Sequence, residues 1–249
     1  MEEVRFDRTA RNGLKSTIKV FPGIPFLNTG KDCEKYLPMS TKTIASQKTE
    51  IEIMPPFIFG CGGKGSQRER VACSLNAIIN KALQTDCTHI WLCNADTTYP
   101  EDSLETLIRL DVDVASGISP AHADWNNITV GHLLPKGGLK FYRREEIAGR
   151  IVGENEVVST GNFCILAKRR AFLDYSRYHI PLRFQPRRKK GSPYASEIQF
   201  FLDAQRLGLS VRIHGGVECG HLPEFPLGFK GPEDAMHNKV KDQEWRLMK

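Results

Sequence analysis

The sequence predicts an α/β fold in three layers, with a mostly parallel central sheet and a mixed C-terminal extension. Three observations carry that prediction. Strand-like and helix-like patterns alternate from residue 17 to residue 118, the order that builds a parallel sheet covered by helices. THIWLC (88–93) is largely apolar, as a strand covered on both faces must be. Beyond residue 130 hairpin signals take over, which argues for mixed pairing in the same sheet and for one domain.

Each element can be justified in order. STIKVFPGIPFL (16–27) reads as a first strand that Pro22 and Pro25 bring to an end. Residues 31–47 read as a polar helix interrupted at Pro38. TEIEIM (49–54) alternates polar and apolar side chains, the period of a strand. PPFIFGCGGKGSQ (55–67) is a Gly-rich loop. Val71, Leu75, Ile78, Ile79 and Leu83 then recur near helical spacing, with Ser66 as N-cap. After the 88–93 strand, PEDSLETLIRL (100–110) is a helix, with proline at its start and acids in its first turn. DVDVASGIS (111–119) is a strand.

HLLPKGGLKFYRR (132–144) is a hairpin about Gly137-Gly138, and residues 147–158 add a further strand. STGNFCILAKRRAF (159–172) is a strand leading into a short helix. SEIQFFLDAQRLG (196–208) is a helix capped by Ser196 and stopped by Gly208. LSVRIHGGVECGHL (209–222) supplies one or two short strands. Residues 1–16 are a polar lead-in, 17–222 the folded domain, and 223–249 a tail expected to pack over the site. No internal repeat or low-complexity segment occurs.

Composition narrows the function classes. The chain has 249 residues, 40% hydrophobic and 26% charged, a soluble globular balance. No apolar run approaches the roughly 20 residues that span a bilayer, and MEEVRFDRTARNG lacks the apolar stretch of a secretion signal. Seven cysteines (33, 61, 73, 87, 93, 164, 219) show no CxxC spacing. They are expected to be reduced thiols in a cytoplasmic setting. A net charge of +6 is too modest for nucleic-acid binding to be expected, but it suits small anionic ligands.

Ligands of open parallel sheets sit beyond the carboxyl ends of the strands. Asn94 and Asp96 fall at such an end, and strand alternation would aim both to one side with Ala95 opposite. Two oxygen-bearing groups facing one spot can hold Mg²⁺ or Mn²⁺ together with a phosphate ligand. An ordinary polar loop at a strand end is the other reading.

The order of these features resembles the GT-A glycosyltransferases, particularly family 2-like members. The features are a helix with Arg68, Arg70 and Asn76, then NADTTYPEDSLETL, SGIS, STGNFCILAKRRAF, SEIQFFLDAQRLG and VECGHL. The resemblance covers roughly residues 17–222 and implies a GT-A-type, Rossmann-like fold. It implies metal binding by Asp96, in the second position of a DxD-like motif, and by His221. Asn94 stands where the first Asp is expected, so its lost charge weakens the metal site. The resemblance places backbone at Gly161 and Asn162 beside the sugar. Arg68 and Arg70 are set toward the diphosphate, with exposed helix charges as the alternative.

The family often has Glu-Asp at the start of the late helix, the Asp acting as base. Here the pair is Glu197-Ile198, so Glu197, Asp203 or another acid takes the role, or the mechanism differs. Trp125 stacks on an acceptor sugar or packs in the core. The run Arg187-Arg188-Lys189-Lys190 covers phosphates, meets an anionic acceptor, touches an acidic membrane surface or is simply solvated.

The leading expectation is therefore a metal-assisted, inverting hexosyltransferase. It would use Mn²⁺ or Mg²⁺ and a nucleotide-sugar donor, with a glycan, lipid-linked or small-molecule acceptor. The alternatives are a retaining enzyme or a non-catalytic nucleotide-sugar or glycan binder. A nucleotidyltransferase would want a basic Gly-rich signature after the first strand, which FPGIPFLNTGK supplies only loosely. A zinc protein fits least, since Cys87, His89 and Cys93 lack ligand spacing.

Overall fold

The structure is a computed structural model. It describes residues 18–26, 31–61, 66–121, 124–133, 139–153, 156, 158–173, 182–185 and 196–221. The lead-in, the 223–249 tail, the Gly137-Gly138 turn and the basic run 187–190 lie outside them, as do the side chains of Arg68 and Trp125.

In chain order the first half gives β1 (Lys19–Pro25), α1 (Lys31–Ala45), β2 (Glu52–Ile53), β3 (Phe57–Phe59), α2 (Gln67–Ala82), β4 (His89–Cys93), β5 (Thr97–Thr98), α3 (Ser103–Arg109) and β6 (Val114–Ile118). The second half gives β7 (Pro120–Ala121), β8 (Asp124–Leu133), β9 (Leu139–Arg143), α4 (Arg144–Ile147), β10 (Ile151–Val152), β11 (Val158–Ser159), β12 (Cys164–Lys168), α5 (Arg170–Leu173), α6 (Ser196–Arg206), β13 (Val211–Glu218) and β14 (Gly220–His221).

The central sheet has the order β10-β13-β6-β12-β4-β1, with β2 and β3 sharing the outer edge of β1. Six strands (β1, β2, β3, β4, β6 and β13) run one way; β12 and β10 run against them. The sheet is thus mostly parallel, as the alternating pattern predicts. Side chains along its strands alternate between two cores. Ile90, Leu92, Ile165 and Ala167 join Leu75, Ile78 and Ile79 of α2 and Phe200 and Phe201 of α6. Trp91, Cys93, Cys164 and Leu166 join Ile44 of α1 and Leu104 and Leu107 of α3. Helices on both faces make the three layers.

Several local expectations need correction. The expected hairpin does not extend the central sheet: β8 and β9 pair with each other and, with β7 and β11, form a separate four-stranded sheet. The Gly-rich loop contains a strand, β3. Pro38 does not interrupt α1; Thr41 Oγ1 donates to the carbonyls of Leu37 (2.9 Å) and Pro38 (3.0 Å) beside it.

Pro22 does not end β1 either. Val20 accepts from Met54 N–H, while Lys19 accepts from Thr88 N–H, so even-numbered residues face the β2/β3 side and odd ones face β4. Pro22 therefore points its missing donor at the gap between β2, which ends at Ile53, and β3, which begins at Phe57, and no ladder bond is lost.

Ser66 caps α2 as expected, within a capping box with Glu69. Cys61 and Cys73 form a disulfide, which corrects the all-reduced expectation for those two. Cys87, Cys93, Cys164 and Cys219 are free and buried. No helix among the described residues is long and apolar enough to cross a membrane.

Candidate active site

The carboxyl edge of the sheet gathers residues that are far apart in sequence. Asn94–Asp96 follow β4, Ser119 follows β6, and Cys219–His221 close β13. Because β12 is antiparallel, its amino end reaches the same edge: Cys164 pairs with Cys93, which brings the Gly161–Phe163 turn there.

Asn94 to Asp96 form a turn rather than the last residues of the strand. The burial that alternation predicts survives even so. Ala95 is buried, while Asn94 and Asp96 are half-buried. Asp96 and His221 come together: His221 Nε2 lies 3.4 Å from Asp96 Oδ2. The cause is a strand pair of two residues each, β14 against β5, with Gly220 opposite Thr98 and His221 opposite Thr97. His221 Nδ1 is buried, with no hydrogen-bond partner among the described residues.

This pair fits a divalent ion in donor chemistry. It offers one carboxylate and one imidazole, and Mg²⁺-type sites commonly take one or two carboxylates and complete their shell with phosphates and water. No cluster of three or more His, Cys, Asp or Glu side chains suited to a metal occurs among the described residues, so phosphates and water would supply the remaining ligands.

Tyr99, which neither composition nor motif order singles out, connects the edge. Its hydroxyl accepts the Asn94 N–H (2.7 Å) and donates to the Phe163 carbonyl (2.9 Å). Its ring meets Trp91 edge-on, 5.0 Å between centroids. Burial pushes the phenol well above its ordinary value, so the proton stays available for donation. Beneath it Cys93, Cys164 and Cys219 are fully buried, and burial pushes the Cys93 and Cys219 thiols up as well. The floor of the edge is therefore closed to solvent.

The remaining expected residues occupy three places. Gly161 and Asn162 are half-buried on the turn that Tyr99 holds. A Cβ on Gly161 would lie 2.9 Å from the Phe163 ring, so a neighbouring side chain already presses on that backbone. Thr129 and Thr160 hydroxyls meet beside it at 3.4 Å. Glu197 is half-buried in the first turn of α6, which lies against β11. Ser196, the expected cap, is the first residue of the helix. Arg70 has a buried Nε with no partner among the described residues. Another carboxylate at this edge, Glu218, is held by Arg144 at 2.9 Å.

No family model matches the chain, and no curated protein does. Among solved structures the chain is similar to A197 from STIV, at 14% identity and a TM-score of 0.51, covering 85% of this chain and 90% of that one. It also aligns with S. aureus TarS 1-349 in complex with UDP, at 10% identity and a TM-score of 0.47, over 80% of this chain and 58% of that one. For the catalytic domain of Drosophila beta1,4galactosyltransferase 7 in complex with xylobiose the values are 14%, 0.46, 79% and 65%. The chain thus spans less than two thirds of these last two. What it shares with A197 is the overall fold.

Proposed function

We propose that the chain is a glycosyltransferase that moves a sugar from a nucleoside-diphosphate donor to an acceptor hydroxyl. The observation that supports this best is the meeting of Asp96 and His221 at the carboxyl edge. Asp96 and His221 would hold Mn²⁺ or Mg²⁺ there. A divalent ion so held neutralises charge on a departing diphosphate.

The chain's own residues do the rest. The solvent-closed floor under Tyr99 strengthens every charge interaction above it. Backbone at Gly161 and Asn162 borders the sugar, and Arg70 faces the diphosphate. Glu197 takes the acceptor proton as the hydroxyl attacks, a role a carboxylate can fill as general base. One base opposite the leaving group favours inversion. The acceptor belongs to the glycan, lipid-linked or small-hydroxyl class, and the basic run 187–190 would bring the chain near an anionic acceptor or membrane surface.

Calorimetry with Mn²⁺ and a panel of UDP, GDP, CDP and ADP, joined to donor-hydrolysis assays, tests the reading. Asp96→Ala and His221→Ala are each expected to weaken Mn²⁺-dependent binding at least tenfold. Glu197→Gln is expected to keep binding and lose turnover by about 10²-fold or more. A wild type that binds none of the panel would sink the proposal. Binding without turnover on any nucleotide sugar would favour a non-catalytic binder instead, for which the amide at Asn94 and the apolar Ile198 beside Glu197 already speak.

A further inference from the structure

Helix α1 looks unremarkable in sequence, yet it carries a polar stripe on its inward face. Ser40, Thr43 and Gln47 are spaced i, i+3, i+7, which aligns them along one side of a helix and its C-terminal extension. Ser40 is 0% exposed and Gln47 8%, unusual burial for such residues unless they are bonded.

All three are bonded, and to one segment. Ser40 Oγ donates to the Asn94 carbonyl at 2.7 Å. Thr43 Oγ1 accepts the Tyr99 N–H at 3.2 Å and donates to Ser40 O at 2.9 Å. Gln47 Nε2 donates to the Pro100 carbonyl at 2.7 Å, and its Oε1 accepts the Leu104 N–H at 2.9 Å. That last bond satisfies a first-turn amide of α3, whose N-cap Asp102 makes no side-chain capping bond. Lys48 N–H adds a bond to Glu101 O at 2.6 Å. Asn94 is thus held at its carbonyl by Ser40 and at its N–H by Tyr99, while Tyr99 is in turn held by Thr43.

We propose that Ser40 and Thr43 of α1 and Gln47 just beyond its end, acting with Tyr99, are positioning residues that fix the Asn94–Asp96 turn against the Gly161–Phe163 turn and so preset Asp96 for its ligand. The proposal rests on the transferase reading for the ligand's identity, but the clamp is defined by side-chain bonds to backbone groups that are present without any ligand. Preorganisation by groups that never touch the ligand is how a site on a turn reaches the precision binding needs. A merely packed helix would bury apolar side chains on this face; this one adds hydrogen-bonding groups to consecutive points of a single functional segment.

The test joins amide hydrogen exchange to binding in the full chain. The variants are Tyr99→Phe and Thr43→Val, with Thr43→Ser as the conservative change and Asp113→Asn as a destabilising control at the opposite edge of the sheet. In Tyr99→Phe the Asn94 amide, and in Thr43→Val the Tyr99 amide, should exchange at least tenfold faster, while the β4 amides are unchanged. Mn²⁺-dependent affinity for the best nucleoside diphosphate of the panel should fall about tenfold, the loss of roughly one net hydrogen bond. Thr43→Ser should restore both, and Asp113→Asn should lower the melting temperature without touching affinity.

Unchanged exchange at Asn94 and Tyr99 overturns the clamp. Faster exchange with unchanged affinity overturns its positioning role. A wild type that binds no nucleotide refutes the transferase reading, and the exchange pattern then decides the clamp alone. Should Tyr99→Phe fail to fold, Thr43→Val and Thr43→Ser carry the same readouts.

Discussion

Asn94 carries an amide where the family resemblance calls for a carboxylate, and the structure puts it two residues from the Asp96–His221 contact, half-buried. An amide can accept a hydrogen bond but brings no charge to a divalent ion. Asn94→Asp is therefore expected to raise Mn²⁺ affinity by roughly tenfold, about 1.4 kcal/mol, as one more carboxylate joins the shell. Calorimetric or paramagnetic titration of both proteins checks this, and equal affinities would place position 94 away from the ion. Part of the candidate site is legible in the sequence. Asp96 and His221 were read from the order of motifs, although NADTTYPEDSL and ECGHL are far apart in the chain. Their contact was not legible, because it depends on strands of two residues, β5 and β14, too short for any periodicity to register. The role of Tyr99 is not legible for a similar reason: nothing local says that its hydroxyl will reach Phe163, 64 residues away.

Elements show where pattern reading holds and where neighbours override it. The long amphipathic helices α2 and α6 lie within a residue or two of their predicted bounds, because caps and apolar spacing are both local. β1 was expected to break at its prolines, and the gap between β2 and β3, an arrangement of other strands, is what lets it continue. β1 also shows how tightly the layers pack. A Cβ built on Gly23 would lie 2.1 Å from Ile78 Cγ2 of α2, and Ile78 is fully buried. Gly23→Ala must therefore push α2 off the sheet or force Ile78 off its rotamer, an overpacking cost of roughly 1–3 kcal/mol. Urea unfolding should show that loss as a lower midpoint with an unchanged slope. A stability equal to wild type would mean that the layer yields more easily than a packed core does. The polar stripe of α1 makes the complementary point: a helix that the sequence shows as merely polar has its Ser and Gln inside, because the segment it faces presents carbonyls and amides rather than methyl groups.

Over the whole molecule, the alternation of strands and helices was enough to predict three layers and a mostly parallel sheet. It could not predict that β8 and β9 leave that sheet, since a hairpin pairs within itself whichever sheet it joins. The amino edge of the sheet, opposite the candidate site, is tied by charge, and this makes stability depend on pH in two stages. Burial, helped by nearby Lys168 and opposed by Asp111, lowers the His89 pKa to about 4. Burial also lowers His214. A histidine whose folded value lies below its unfolded value of roughly 6.5 binds its proton more readily in the unfolded chain. Stability from His89 is therefore complete above about pH 6.5 and falls as pH drops toward 4, by roughly 1–3 kcal/mol after allowance for partial solvation. The carboxylates act lower. Burial alone would raise Asp113, but the Ser210 N–H and hydroxyl and the Arg170 guanidinium outweigh it and hold it below its usual range. Its contribution, which joins β6 to the start of β13, persists above about pH 4 and is lost as pH falls below that. Denaturant unfolding from pH 7.5 to 3.5 should show a first decline between 6.5 and 4 and a steeper one below it. His89→Gln should flatten the first decline to the residue left by His214 while leaving the second intact. A first decline of undiminished size in His89→Gln would show that the buried imidazole at the start of β4 is not what titrates there.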